Sequence, residues 1–239
     1  MPPGDVIVSL RGVAKDYRGL RPLRVERLEL RQGETVALLG FDRAAAGVLV
    51  DLITAASLPD AGDVDVFGKP TRSIAAPDAW LEELDEFGIL SERAILLDQL
   101  TAEQNLALPY SLELDDLPAA VRANVRALAD EVAISRAELT APAATLPPLV
   151  RARIRLGKAL ALDPHVLLAE HPNALVPPAD LPTLAAELSR IVSARGVTLL
   201  VVTADATFAR SVAERVLTLQ AATGTLEASS GWRSWFRRS

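Results

Sequence analysis

The sequence lacks cysteine altogether, and its 239 residues include only 2 histidines and 4% aromatic side chains. Without cysteine there is no disulfide and no thiolate metal site, which is consistent with a reducing compartment. His165 and His171 are too few for a metal site built from several histidines. Because aromatic residues are scarce, the core must be built mostly from leucine, valine, isoleucine and alanine.

Long apolar runs and an excess of positive charge are also missing. No uninterrupted apolar run approaches the roughly 18 residues that span a bilayer, and the run Thr198–Thr203 is far too short. The segment Met1–Asp5 has neither the basic region nor the apolar stretch of a signal peptide. The net charge of −6 argues against a large nucleic-acid footprint. We therefore expect a cytoplasmic protein without a nucleic-acid partner, whose contact with a membrane is peripheral.

What the sequence does contain is an alternation of β-branched runs and helical patterns. Half of its residues are hydrophobic, enough for a sizeable core in one domain, with or without an inserted subdomain. Strand, helix and strand in this order predict a parallel sheet with helices packed against it. The predicted strands are Val6–Leu10, Val25–Leu30, Glu34–Leu39, Val166–Ala169, Val197–Val202 and Val216–Leu219, and the predicted helices are Gly47–Ala56, Val150–Leu162 and Leu181–Ala194.

The middle of the chain is acidic, rich in helical pattern and interrupted by prolines. We interpret the chain 1–239 as a single domain with a core of residues 5–87 and 151–228 and a helical subdomain at about 88–150. Residues 229–239 form a tail with two tryptophans and three arginines. Such a composition suits a membrane interface or a partner groove, and it is equally that of a frayed terminus.

Several segments resemble the ATP-binding cassette (ABC) family in the same order and spacing, over residues 5–228. They are Glu34–Gly40 with the helix and the turn Pro59–Gly62 after it, Leu100–Pro109, Ala159–Pro164, Val166–Pro172 and Thr198–Thr203. The resemblance implies an α/β, P-loop NTPase-like ABC ATPase core with a mixed, centrally parallel sheet and an inserted helical subdomain. It also implies the small antiparallel portion near the N-terminus.

The phosphate loop of that family departs from its usual form here. A glycine-rich loop wraps phosphates with backbone N–H groups, its lysine reaches the phosphates, and the next hydroxyl binds magnesium. Ala45 stands in place of the second glycine, Ala46 in place of the lysine, and Gly47 in place of the hydroxyl. Asp42 adds negative charge, so we expect ATP to bind weakly or not at all and assign no metal ligand. By position the nucleotide site comprises Tyr17, Gly40, Phe41, Asp42, Arg43, Ala44, Ala45, Ala46, Gly47 and Val48.

Two residues of this set allow two interpretations each. Arg43 is the one cation near the loop; it either contacts phosphate or, as we favour, is a solvated loop residue. Tyr17 fits the aromatic that stacks on adenine in the family, and it fits an ordinary half-buried tyrosine as well.

The remaining family positions are altered too. Glu92 falls near the glutamine-loop position, and the segment Leu146–Val150 replaces the signature motif with two prolines, which lack N–H donors. Glu170 takes the place of the metal-associated aspartate, His171 that of the catalytic glutamate, and Ala204 that of the switch histidine. A histidine is able to act as a general base, but the groups that stabilise charge in phosphoryl transfer are missing around His171. We therefore treat Glu170, His171 and Ala204 as vestigial and assign no catalytic residue.

Three functions follow from this pattern. The first is a degenerate ATP-binding subunit of a membrane transporter, paired with a membrane-embedded subunit and a second cassette as a homo- or heterodimer. The second is a working ATPase subunit that energises transport, with lipids as one candidate cargo, despite its altered motifs. The third is a repurposed soluble interaction domain. For the first, we expect residues 88–109 to dock onto the membrane subunit, although the same leucines would also suit internal packing.

Overall fold

The computed structural model describes residues 4–228 apart from 20, 75–79 and 81–83. The predicted tail at 229–239 lies outside the described residues. The strands in chain order are β1 Val6–Lys15, β2 Leu23–Arg31, β3 Thr35–Leu39, β4 Ala61–Val66, β5 Lys69–Pro70, β6 Phe87–Ser91, β7 Val166–Glu170, β8 Thr198–Val202, β9 Arg215–Gln220 and β10 Thr225–Ala228.

The strands form two sheets. The larger has the order β10-β9-β3-β8-β7-β6, in which β9 to β6 run parallel and β10 is antiparallel to β9. The smaller is antiparallel, with the order β2-β1-β4-β5. At the centre of the larger sheet every residue of β7 and β8 is buried, as their continuous apolar runs predict for strands covered on both faces. The predicted mixed, centrally parallel α/β fold is confirmed.

Seven α-helices lie wholly within the described residues. They are α1 Arg43–Ile53, α2 Ala102–Ala107, α3 Ala119–Glu131, α4 Arg136–Leu139, α5 Pro148–Leu160, α6 Leu181–Arg195 and α7 Ala206–Val212. Helix α6 ends where the sequence predicts, at Gly196, whose φ of 66° is the left-handed conformation that glycine adopts without strain. None of the described helices has the length and apolar character needed to cross a membrane.

The core lies in two layers, one on each face of the larger sheet. One layer packs the antiparallel sheet and α1 against residues such as Leu38 and Leu168. The other packs α2, α3, α5, α6 and α7 against residues such as Ala37 and Leu167. Because successive residues of a strand point to opposite faces, each central strand contributes to both layers.

Two boundaries differ from the sequence prediction. Helix α1 begins at Arg43 rather than near Gly47, because Asp42 caps it. Residues 88–91, assigned by sequence to the helical subdomain, instead belong to β6 at the edge of the larger sheet. At Gly88 an added Cβ would lie 2.2 Å from the carbonyl oxygen of Ala159, so only glycine lets β6 pack this closely on α5. A short apolar run does not reveal its partner strand, which is why periodicity alone missed β6.

Candidate functional site

The loop between β3 and α1 begins with a glycine that the backbone requires. Gly40 has a φ of 85°, and an added Cβ there would lie 2.9 Å from the carbonyl oxygen of Leu219. Phe41 follows and is buried. Strand, tight turn and helix therefore follow one another as in a phosphate-binding loop.

Asp42 caps α1 with its own carboxylate. Its Oδ1 accepts a hydrogen bond of 2.7 Å from the backbone N–H of Ala45, and its carbonyl accepts one of 2.9 Å from the N–H of Ala46. The N-terminus of a helix attracts anions through its free N–H groups and its dipole. Here a carboxylate of the chain itself already takes that position.

The next residues of α1 offer no charge and no hydroxyl. Ala45 and Ala46 are buried, with exposed fractions of 7% and 0%, and Gly47 is buried beside them. Ala44 is exposed and Val48 is half-buried. Nothing in this first turn replaces the lysine or the magnesium-binding hydroxyl of a phosphate loop.

Arg43 is exposed to solvent, as the favoured sequence interpretation expects, but it lies in a helix rather than in a loop. It is the first residue of α1, and its Nη1 lies 2.7 Å from Oε1 of Glu92, which directly follows β6. Its side chain is 66% exposed. The cation nearest the loop is therefore already paired with a carboxylate.

Arg93 occupies the centre of the site, and sequence analysis missed it. Glu170, at the end of β7, is only 2% exposed. Its Oε2 accepts hydrogen bonds from Arg93 Nε at 3.1 Å, from Arg93 Nη2 at 2.7 Å and from Ser91 Oγ at 3.1 Å. A Cβ added to Gly47 would lie 3.1 Å from the guanidinium carbon of Arg93. The only sequence signal for this arrangement is that Arg93 follows Glu92, itself placed near the glutamine loop.

A second carboxylate, Asp51, lies one helical turn beyond Gly47. Its pKa is raised above the ordinary 3.8, mainly because burial disfavours its charged form. The positive charge of Arg93 works against this rise, whereas the negative charge of Glu170 adds to it. Arg93 is thus electrostatically coupled to carboxylates on both α1 and β7.

The residues of the site do not fit a magnesium–nucleotide complex. Gly47 has no oxygen to offer a metal, and the guanidinium of Arg93 fills the space beside it. A carboxylate caps the helix where a phosphate would bind, and the acidic side chains Asp42, Asp51, Glu92 and Glu170 outnumber the two arginines. Within the described residues no group of three or more acidic or histidine side chains is arranged to hold a metal ion.

His171 follows Glu170 and has a strained backbone, with a φ of 44°. Its N–H donates to the carbonyl of Val202 at 2.8 Å, and its Nε2 is buried without a hydrogen-bond partner. A cavity of about 20 Å³, lined in part by His171, Glu92 and Arg155, lies alongside. That volume is enough for one water molecule but not for a nucleotide.

The end of β8 carries no titratable group at the switch position. Ala204 is exposed and contributes a methyl group. The preceding residue, Thr203, is fully buried, and its Oγ1 donates to Asn173 Oδ1 at 2.9 Å. The loops after β7 and β8 are thus joined by a structural hydrogen bond.

The two prolines of the altered signature segment begin α5. Pro147 is the N-cap and Pro148 the first helical residue, a position where proline costs little because its missing N–H would have no helical partner. Leu146 and Val150 on either side are buried. This helix start therefore has fewer N–H donors for an anion and is held by apolar packing.

Tyr17 lies at the same end of the molecule as the phosphate loop. It is half-buried against the layer that contains α1, and its pKa is raised by burial and by the negative charge of Asp42. The charge of Asp42 therefore acts on the Tyr17 hydroxyl through space. Both interpretations of Tyr17, as an adenine platform and as a packing residue, fit this position.

No protein-family model matches the chain, but it is similar to several curated ATP-binding proteins. The phosphonates import ATP-binding protein PhnC of Anaeromyxobacter dehalogenans is 34% identical over 202 residues, which cover 81% of this chain and 40% of that protein. The lipoprotein-releasing system ATP-binding protein LolD of Myxococcus xanthus is 29% identical, and the match covers 88% of this chain and 95% of that protein. The methionine import ATP-binding protein MetN of Brucella abortus is 27% identical, and the match covers 89% of this chain and 57% of that protein. The chain thus spans about half the length of PhnC and MetN and nearly all of LolD.

Solved structures agree with this relationship at the level of fold. A dimeric bacterial ABC transporter cassette, MJ0796, superposes with a TM-score of 0.76 at 21% identity, covering 95% of this chain and 100% of that one. A subunit from Clostridium perfringens, cbiO1, described as part of the transporter complex cbiONQ, superposes with a TM-score of 0.78 at 18% identity, covering 93% and 87%.

Proposed function

Because the chain is an ATP-binding cassette protein by sequence relationship and by fold, we propose that it is a cassette subunit of a membrane transport complex that does not hydrolyse ATP by itself. The proposed lack of hydrolysis rests on one observation, the combination of Ala46 and Gly47 with Arg93. The loop has no lysine and no magnesium-binding hydroxyl, and an arginine fills the adjoining space. Phosphoryl transfer depends on positioned positive charge, so losing these groups together removes most of the catalysis.

The proposed assembly contains a second cassette and a membrane-embedded subunit, and it places the chain at the inner face of the membrane. The dimeric form of the MJ0796 cassette supports a paired arrangement. In such a pair a partner with intact motifs would supply hydrolysis, and this chain would supply structure.

The surface proposed for the membrane-embedded subunit lies at the start of the helical region, which we propose as a subdomain. Ile95 is 72% exposed and Leu97 is 40% exposed. Leu96 and Leu106 are buried, with exposed fractions of 7% and 0%. These two leucines therefore pack the core, as the internal-packing interpretation expects. Adjacent exposed apolar side chains suit a partner interface.

Steady-state phosphate release from the purified chain tests the proposed lack of hydrolysis. We expect the native protein and the Ala204→His variant to release phosphate at the same background rate, because restoring one group does not restore the charge that binds the phosphates. Phosphate release that co-purifies with the protein and is abolished by His171→Ala would show a working ATPase instead.

Co-purification tests the proposed assembly. Extracting the tagged chain from native membranes should recover a membrane-spanning protein and a second cassette. Recovery of the chain only from the soluble fraction, without either partner, would favour a repurposed interaction domain.

A further inference from the structure

The site contains a cation of its own in the region where the magnesium of a nucleotide complex would bind. The Arg93 guanidinium lies beside Gly47 of α1 and donates to Glu170 of β7, whose carboxylate also accepts from Ser91 at the end of β6. The outer side of the Arg93 side chain faces solvent, with 53% of the side chain exposed. A phosphate loop has a hydroxyl that binds magnesium at the Gly47 position. Gly47 has no side chain, and the guanidinium of Arg93 occupies the space that a side chain at this position would need.

The contacts of Arg93 are those of a structural cation rather than a surface pair. Its Nε and Nη2 both donate to the same oxygen of Glu170, at 3.1 and 2.7 Å, and that carboxylate is 2% exposed. A buried carboxylate without a positive partner is strongly disfavoured. The Arg93 N–H also donates to Ser91 Oγ at 3.0 Å, which fixes the backbone from which the guanidinium reaches back.

The second arginine of the site serves as an internal comparison. Arg43 also forms an ion pair, with Glu92 at 2.7 Å, but Glu92 is 19% exposed against 3% for the Glu170 side chain, and Arg43 is the more exposed arginine. Exposed pairs contribute little to stability because water screens them. Of these two arginines, Arg93 is the one that compensates a carboxylate that water hardly reaches.

We propose that Arg93 is a built-in replacement for the divalent metal of the cassette site, which holds α1, β6 and β7 together without metal or nucleotide. The proposal rests on the placement of the phosphate loop at residues 40–48, but not on whether the chain hydrolyses ATP. It implies that magnesium has no site in the native protein. It also implies that removing the guanidinium leaves the buried carboxylate of Glu170 beside an open space at Gly47, where a hard divalent cation is able to compensate its charge.

Thermal unfolding without nucleotide tests whether Arg93 replaces the metal. Tm is measured in millimolar magnesium chloride and, for comparison, in sodium chloride of equal ionic strength. The native protein should melt at the same temperature in both salts. Arg93→Ala should lower Tm by about 5–10 °C in sodium chloride, and magnesium should recover at least half of that loss. Arg43→Ala removes the same charge nearby and should give a small loss of Tm with no recovery by magnesium.

A double variant keeps the test decisive if Arg93→Ala folds poorly. Glu170→Gln removes the buried charge, so Arg93→Ala with Glu170→Gln should melt higher than Arg93→Ala alone and should not respond to magnesium. The proposal is overturned if magnesium stabilises the native protein, if Arg93→Ala behaves like Arg43→Ala, or if the double variant is no more stable than the single one. Each result is obtained without ATP and is therefore separate from the hydrolysis measurement.

Discussion

The carboxylate of Asp42 and the backbone N–H of Ala45 are joined by a hydrogen bond of 2.7 Å at the start of α1. The residue that sequence analysis marked as repelling phosphate is therefore also the cap of the helix. Substitution of Asp42 by asparagine distinguishes these two roles, because asparagine retains the capping oxygen and lacks the negative charge.

We expect Asp42→Ala to lower the free energy of unfolding by about 1 kcal/mol, whereas Asp42→Asn should leave it nearly unchanged. Urea denaturation measures both. Asp42→Asn should also raise any residual affinity for nucleotide, measured by calorimetry, because a negative charge beside the phosphates is gone. Equal stability of the alanine variant and the native protein would contradict the capping role.

The role of Tyr17 is tested by two substitutions that differ in the aromatic ring. If Tyr17 provides an adenine platform, Tyr17→Ala should abolish any weak nucleotide binding and Tyr17→Phe should preserve it, because stacking needs the ring and not the hydroxyl. Fluorescence titration with a labelled nucleotide compares them. Unchanged binding in Tyr17→Ala would assign the residue to packing alone.

Asp51 makes stability depend on pH in a defined direction. The folded-state pKa of Asp51 is raised above its unfolded value. The contribution of Asp51 to the free energy of unfolding is therefore fully present below the unfolded pKa and is lost as the pH rises through the folded pKa. Asp51→Asn should therefore match the native Tm at about pH 3 and exceed it by about 1–3 °C at neutral pH. Melting curves across this range measure the difference. A variant that melts lower than the native protein at neutral pH would show that the attraction of Arg93 outweighs the burial of Asp51.

Asn105 organises the turn before α2 from a fully buried position. Its Nδ2 donates to the carbonyls of Leu97, Leu100 and Thr101, and its Oδ1 accepts from the N–H of Leu97. Asn105→Ala leaves the N–H of Leu97 without its partner, whereas the three carbonyls keep backbone donors. We expect a cost of about 1–3 kcal/mol of unfolding free energy, measured in urea. Asn105→Asp replaces the donor with a charge and should cost at least as much. A loss below about 0.5 kcal/mol for both variants would show that water replaces the amide.

The proposed docking surface predicts different outcomes at neighbouring positions. Ile95→Glu and Leu97→Glu should abolish co-purification with the membrane subunit and leave Tm within about 2 °C of the native value, because exposed sites contribute little to folding. Leu96→Glu is the matched control, since its side chain is buried and a charge there should lower Tm sharply. Retained membrane association in both Ile95→Glu and Leu97→Glu would exclude this surface.

Much of the fold follows from local sequence signals. The buried strands β7 and β8 and the end of α6 at Gly196 are each encoded within a few residues, so the predictions for them are confirmed. Strand β6 was missed because it is recognisable as a strand only when it pairs with β7, which follows in sequence far beyond it. Pairing between distant segments is not visible in local periodicity.

By itself the sequence determined which chemistry the phosphate-loop positions lack, since Ala46 carries no charge and Gly47 no hydroxyl wherever they lie. Only the tertiary structure decided what takes their place. Parallel pairing of β6 with β7 brings the residues after β6 to the end of β7, where Arg93 meets Glu170 beside Gly47. Residue types are local properties, whereas which of the neighbours Glu92 and Arg93 faces the buried carboxylate depends on the register of the sheet.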